Sequence, residues 1–153
     1  MKIMDILVRD AVILDVESGA KEDLLAEMAR ALAKSVPALD SERLLTVLLE
    51  REALQSTGIG EGVAIPHGKI AGLEKLVASF ARCRGGLDFE SIDGQPTQLF
   101  FLLVVPEHSG GAHLKALARI SRFFRDSDFR EQLVGAESLD DILAAIEAED
   151  AKF

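Results

Sequence analysis

Leu24, Leu25, Met28, Ala29 and Leu32 recur at helical spacing. The pattern predicts an amphipathic helix that starts within Ser18–Asp23 and stops before Pro37. Asp40 or Ser41 caps a second helix with Glu42 in its first turn, running to about Leu54. Ahead of these, residues 3–8 read as a short helical turn and Ala11–Val16 as a strand. After them the periodicity shortens. Val63-Ala64-Ile65 is a short buried strand, and Leu76–Arg82 alternates as a longer one. Gly85-Gly86 and Ile92–Pro96 turn the chain. Thr97–Val105 is a continuous apolar run, as expected for a central strand covered on both faces, and Pro106 ends it. Three helices follow, at roughly 112–126, 128–135 and 138–149. This alternation predicts an α/β fold: a single domain over 1–153 with a mixed β-sheet flanked by helices on both faces.

Composition narrows the function. There is no tryptophan or tyrosine, so eight phenylalanines carry the aromatic packing of the 153-residue chain. A net charge of −9 argues against a nucleic-acid surface, which needs clustered Lys and Arg, and favours a basic protein partner. Cys83 is the only cysteine, which excludes an internal disulfide and a multi-cysteine metal site. Flanked by Arg82 and Arg84, it is either a small packing residue or an activated thiol. Met1–Arg9 is too short and charge-interrupted for a signal peptide, and Leu99–Val105 is far below membrane-spanning length. The expectation is a cytoplasmic protein without membrane insertion, metal or cofactor.

The candidate chemistry centres on residues 56–69. Ser56 and Thr57 lead into Gly58, Gly60 and Gly62, then the short strand, then Pro66-His67-Gly68. Alternate glycines allow positive φ and offer backbone amides for an anion. Pro66 stiffens the approach to His67, and Gly68 leaves the imidazole unshielded. His67 is thus either an exposed histidine beside a structured loop or an acceptor for a phosphoryl group. Arg51 falls on the stripe of Leu44, Val47 and Leu48, so its guanidinium either meets an anion, pairs with a carboxylate such as Glu61, or snorkels to solvent. His113 opens a helix after Gly110-Gly111, on the side of Ala116, Leu117, Ile120 and Phe124. It is either a capping or core histidine, or a donor to an anion at the helix start. His108 reads as solvated. A zinc hydrolase lacks its paired-histidine motif here, and the glycine spacing is neither a Walker loop nor a dinucleotide fingerprint.

The run Glu52–Gly68, with Glu52, Ile59, Gly60, Val63, Ala64, Ile65, Pro66, His67 and Gly68 at the matching positions, resembles the active-site signature of fructose/mannitol-type IIA components of the bacterial sugar phosphotransferase system. The resemblance spans nearly the whole chain, including Asp93–Pro96 and Ala112–Ser121. Ile120–Asp126 looks most like the nitrogen-regulatory branch. It implies a mannitol-IIA-like fold and a phosphotransferase component in which His67 forms a tele-phosphohistidine. In that family an arginine at the place of Arg51 binds the phosphoryl group, and a histidine at the place of His113 orients and stabilises it. The implied partners are an HPr-like phosphocarrier and either regulatory target proteins or a IIB domain. Docking is expected on an apolar patch around His67 with an acidic rim, Glu61 being the nearest acid in sequence.

Overall fold

The computed structural model describes residues 1–153. Its elements are α1 (Ile3–Ile6), α2 (Lys21–Ser35), α3 (Ser41–Leu54), β1 (Gly58–Gly60), β2 (Val63–Ala64), β3 (His67–Ile70), β4 (Val77–Leu87), β5 (Thr97–Pro106), α4 (Ala112–Phe123), α5 (Ser127–Gly135) and α6 (Leu139–Asp150). A single 3-10 turn, Arg9–Ala11, precedes α2.

The strand β5 is the middle of a five-stranded mixed sheet. On one side β4 runs antiparallel to it, from Val77 opposite Val104 to Leu87 opposite Thr97. On the other side two short strands lie end to end: β2 pairs with Leu99 and Phe100, and β3 with Leu103–Pro106, both parallel. Pro66 separates them, because a residue without an N–H interrupts a ladder; its carbonyl still accepts from Leu103 N at 2.9 Å.

Both faces of β5 are buried, which explains its unbroken apolar run. Leu99, Phe101, Leu103 and Val105 face a core closed by α1, α4, α5 and α6. Phe100, Leu102 and Val104 face a second core closed by α2 and α3. The predicted mixed α/β architecture with helices on both faces is what the chain adopts.

Three local expectations are corrected. Ala11–Val16 is not a strand: after the 3-10 turn the segment touches β4 only through an isolated bridge, Ile13 to Ala81, and a few backbone bonds. Gly85-Gly86 does not end β4, which continues to Leu87 through an irregular register. The helix expected over 112–126 stops at Phe123, since Asp126 caps α5 by accepting from Asp128 N and Phe129 N.

Candidate functional site

His67 begins β3, and β3 lies at an open edge. Only β2 has β1 beside it, so no strand covers the outer side of His67. His67 is in register with Leu103, whose side chain belongs to the core of α4. The next residue, Gly68, turns toward α3. A Cβ there would lie 2.6 Å from Val47 Cγ1, so glycine permits the close approach of helix to strand. The close approach brings the C-terminal turn of α3 around the sheet edge toward the start of α4.

Between these ends lies a cleft of about 680 Å³ lined by Arg51 and Leu54 of α3, His67 and Lys69 of β3, and His113 and Leu114 of α4, with Glu50 and Gly68 at its wall. The fold therefore brings together His67 and its neighbour Gly68 with Arg51 and His113, which lie on separate helices. Arg51 Nη1 donates to the carbonyl of Gln55 at 2.9 Å, which ties the guanidinium across the end of α3. His113 Nδ1 sits 3.1 Å from the Gly110 carbonyl and 3.4 Å from Ser109 Oγ. His108 is exposed, outside the cleft.

The ring of His67 is half-buried, with Nδ1 2.9 Å from the Ile65 carbonyl. A carbonyl only accepts, so Nδ1 carries the proton, and Nε2 keeps its lone pair when the ring is neutral. Burial holds the His67 pKa below its ordinary value of 6.5. The Ile65 carbonyl opposes this by favouring the cation, as does the charge of Glu52, whereas the positive charges of Arg51 and His113 add to the lowering. The ring is thus neutral at neutral pH.

The other sequence candidates lie elsewhere. Gly60, Glu61 and Gly62 all have positive φ; Gly60 ends β1, and Glu61-Gly62 form the two-residue turn to β2. Val63 pairs with Leu99, whereas His67 pairs with Leu103, so this turn lies roughly 13 Å back along β5 at ~3.3 Å per residue. Gly58 packs against Ser91. Ser56 Oγ donates to the Phe89 carbonyl at 3.1 Å, and Thr57 is buried against Glu52. None of Ser56, Thr57, Gly58, Gly60 or Gly62 lines the cleft. Glu61 is 3.6 Å from Arg130 rather than beside Arg51. The acid at the cleft is Glu50, outnumbered there by Arg51 and Lys69, so the immediate surroundings of His67 are not acidic.

Sequence reasoning missed Glu50, Leu54, Lys69 and Leu114 as wall residues. Leu54 and Leu114, 83% and 62% exposed, were signalled only as apolar residues at helix ends.

The sequence profile described as phosphoenolpyruvate-dependent sugar phosphotransferase system, EIIA 2, matches residues 5–149. A nitrogen regulatory protein of Bradyrhizobium diazoefficiens is 45% identical over 87% of the chain and 86% of its own length. The fructose-specific EIIABC component of Bacillus subtilis is 39% identical over 98% of the chain, which spans only 24% of that protein. Among solved structures, nitrogen regulatory protein IIA-Ntr from Neisseria meningitidis superposes with a TM-score of 0.87 at 36% identity, over 94% of this chain and 98% of that one. Mannitol IIA from Escherichia coli, 20% identical, shares the fold with a TM-score of 0.76 over 91% and 97%. No helix is long and apolar enough to cross a membrane. The chain belongs to the EIIA 2 family of the phosphoenolpyruvate-dependent sugar phosphotransferase system, as one of its phosphoryl-transfer domains.

Proposed function

We infer that Nε2 of His67 accepts a phosphoryl group from the phosphohistidine of a small HPr-like carrier, and that the phosphorylation state then governs binding to a regulatory target. The observation that carries this reading is the 2.9 Å contact between His67 Nδ1 and the Ile65 carbonyl. It keeps the proton on Nδ1 and leaves the Nε2 lone pair as the nucleophile. In the transfer, Nε2 attacks phosphorus, and an N–P bond forms as the carrier's P–N bond breaks. The carrier's ring nitrogen leaves with the electron pair. The Nδ1 proton stays in place, so the phosphorylated ring keeps its bond to Ile65.

Arg51 and His113, on opposite walls of the cleft, would hold the phosphoryl oxygens. Donors so placed are worth about 2.7–4 kcal/mol in the transition state, or about 10²–10³ in rate. Leu54 and Leu114 offer an apolar rim for the carrier, and adding a doubly charged group beside them changes what can dock there.

The test is incubation with phosphoenolpyruvate, enzyme I and carrier, followed by mapping of the acid-labile label. Labelling should occur at Nε2 of His67 and vanish in His67→Ala, whereas His113→Ala should still label, about 10²–10³-fold more slowly. Full labelling of His67→Ala would defeat the assignment.

The likeness to the nitrogen regulatory proteins supports the regulatory output. The 39% identity to a fructose-specific EIIABC component favours a second reading, in which the group passes on to a IIB domain. Pull-downs with wild type, His67→Ala and His67→Glu separate the two. A IIB domain that takes the phosphoryl group, recovered as the sole partner, would establish the sugar relay.

A further inference from the structure

Glu52 is a carboxylate buried to 8% exposure near the end of α3, directly after Arg51, and it does not line the His67 cleft. A charge placed there must be paired and hydrogen-bonded throughout. Its partners are specific. Both oxygens accept from Thr57 N at 3.1 Å, Oε2 also accepts from the Thr57 hydroxyl, and Lys21 Nζ from the first turn of α2 lies 3.0 Å from Oε1. Lys21 is in turn held over the Phe89 ring, 4.6 Å from its centroid. Thr57 is therefore fixed by its amide and its hydroxyl together.

From Thr57 a chain of bonds leads back to the histidine. The Thr57 carbonyl accepts from Ile65 N at 3.0 Å, and the Ile65 carbonyl accepts from His67 Nδ1 at 2.9 Å. Each group in this series faces only one way, so the direction of the Ile65 carbonyl depends on where Thr57 is held. The alternate partner for Ile65 is absent, because the β2 ladder stops at Ala64 and the β3 ladder begins at His67.

We propose that Glu52, paired with Lys21, is a positioning residue that sets the tautomer and orientation of His67 through Thr57 and Ile65. The same carboxylate registers the arginine with the histidine. Arg51 and Glu52 share one helical turn, so clamping Glu52 to Thr57 fixes the end of α3 relative to β3. The catalytic weight of this role rests on His67 being the phosphoryl acceptor, but the structural claim concerns the unphosphorylated ring alone.

The experiment reads the ring nitrogens of His67 by 15N NMR in the unphosphorylated full chain, with exposed His108 as internal reference. Wild type should show a protonated Nδ1 and an unprotonated Nε2. Glu52→Gln preserves shape but removes the charge and one acceptor. Its His67 signals should move toward a tautomeric average while His108 stays put, and transfer from phosphorylated carrier should slow about tenfold to a hundredfold. Thr57→Val, which keeps the backbone bonds and loses only the hydroxyl, should shift His67 the same way by less, and serves alone if Glu52→Gln does not fold. Folded variants whose His67 nitrogens stay at wild-type positions would overturn the proposal, whatever the transfer rate. If the nitrogens shift but wild type labels at another residue, the positioning role stands and the acceptor reading falls.

Discussion

His67 shows how a residue's chemistry is set by its surroundings rather than its type. Burial and the charge of Arg51 lower its pKa below 6.5, against the pull of the Ile65 carbonyl. The folded protein therefore binds the proton less tightly than the unfolded chain. The neutral ring's contribution to stability is complete above pH 6.5 and is lost as pH falls from there through the folded-state value. The ring titration followed by NMR should have its midpoint below 6.5. Wild type should also lose more stability between pH 7 and pH 5 than His67→Gln, which lacks the titrating group. A midpoint above 6.5 would mean that the attraction of the Ile65 carbonyl and of Glu52 for the cation outweighs desolvation, and the ring would then be a poorer nucleophile at neutral pH.

At the scale of elements, the cleft exists because α3 can lie against β3, and that contact turns on Gly68. Its missing Cβ would meet Val47 Cγ1 at 2.6 Å, and valine is stiff about χ1, so the helix must move if the strand does not. Gly68→Ala should cost about 1–3 kcal/mol in denaturant unfolding, the range for overpacking a tight contact. Adding Val47→Ala should recover much of that loss, because it removes the atom in the way. The coupling energy of the double-mutant cycle measures the contact, and additive effects would show that Val47 is not what Gly68 accommodates. Transfer should slow in the single variant and recover in the double one, since the displaced turn carries Arg51.

The whole molecule is tied together by charges buried where chain ends meet. Asp150, 1% exposed at the end of α6, accepts from Ile3 N at 2.9 Å and Met4 N at 2.8 Å, which caps α1. Its Oδ1 also lies 3.0 Å from Arg119 Nη2 of α4. One carboxylate thus joins the first, fourth and sixth helices. Arg82, wholly buried on β4, likewise donates to the Leu133 and Val134 carbonyls at the end of α5 and to Asp15. Asp150→Ala should destabilise the chain by about 3–5 kcal/mol, the cost of breaking a buried pair. It should also speed amide exchange at Ile3 and Met4 while leaving the His67 tautomer unchanged. Slow exchange at those amides in the variant would show that Asp150 is not their essential acceptor.

Periodicity was enough to place α2, α3 and the central β5, because their apolar stripes must be buried whatever the topology. The order Pro66-His67-Gly68 likewise marked His67 as a candidate without coordinates, since each neighbour limits the backbone locally. The glycines of residues 58–62 are equally suited to cradle a phosphate or to turn a hairpin. Strand register shows that they turn a hairpin and places them far down β5 from His67. The segment Ala11–Val16 failed for a similar reason: Ala11 is buried and Val12, Ile13, Leu14 and Val16 are half-buried, but a 3-10 turn and an isolated bridge rather than continuous pairing hold them. That Arg51 and His113 face His67 was legible only by resemblance, because it depends on helices from opposite layers meeting at one uncovered sheet edge. Glu52 was visible as a matching position without a role. Its partner Lys21 is distant in sequence, whereas Thr57 and the path through Ile65 to Nδ1 are near; yet no local pattern along a chain encodes the direction of a carbonyl.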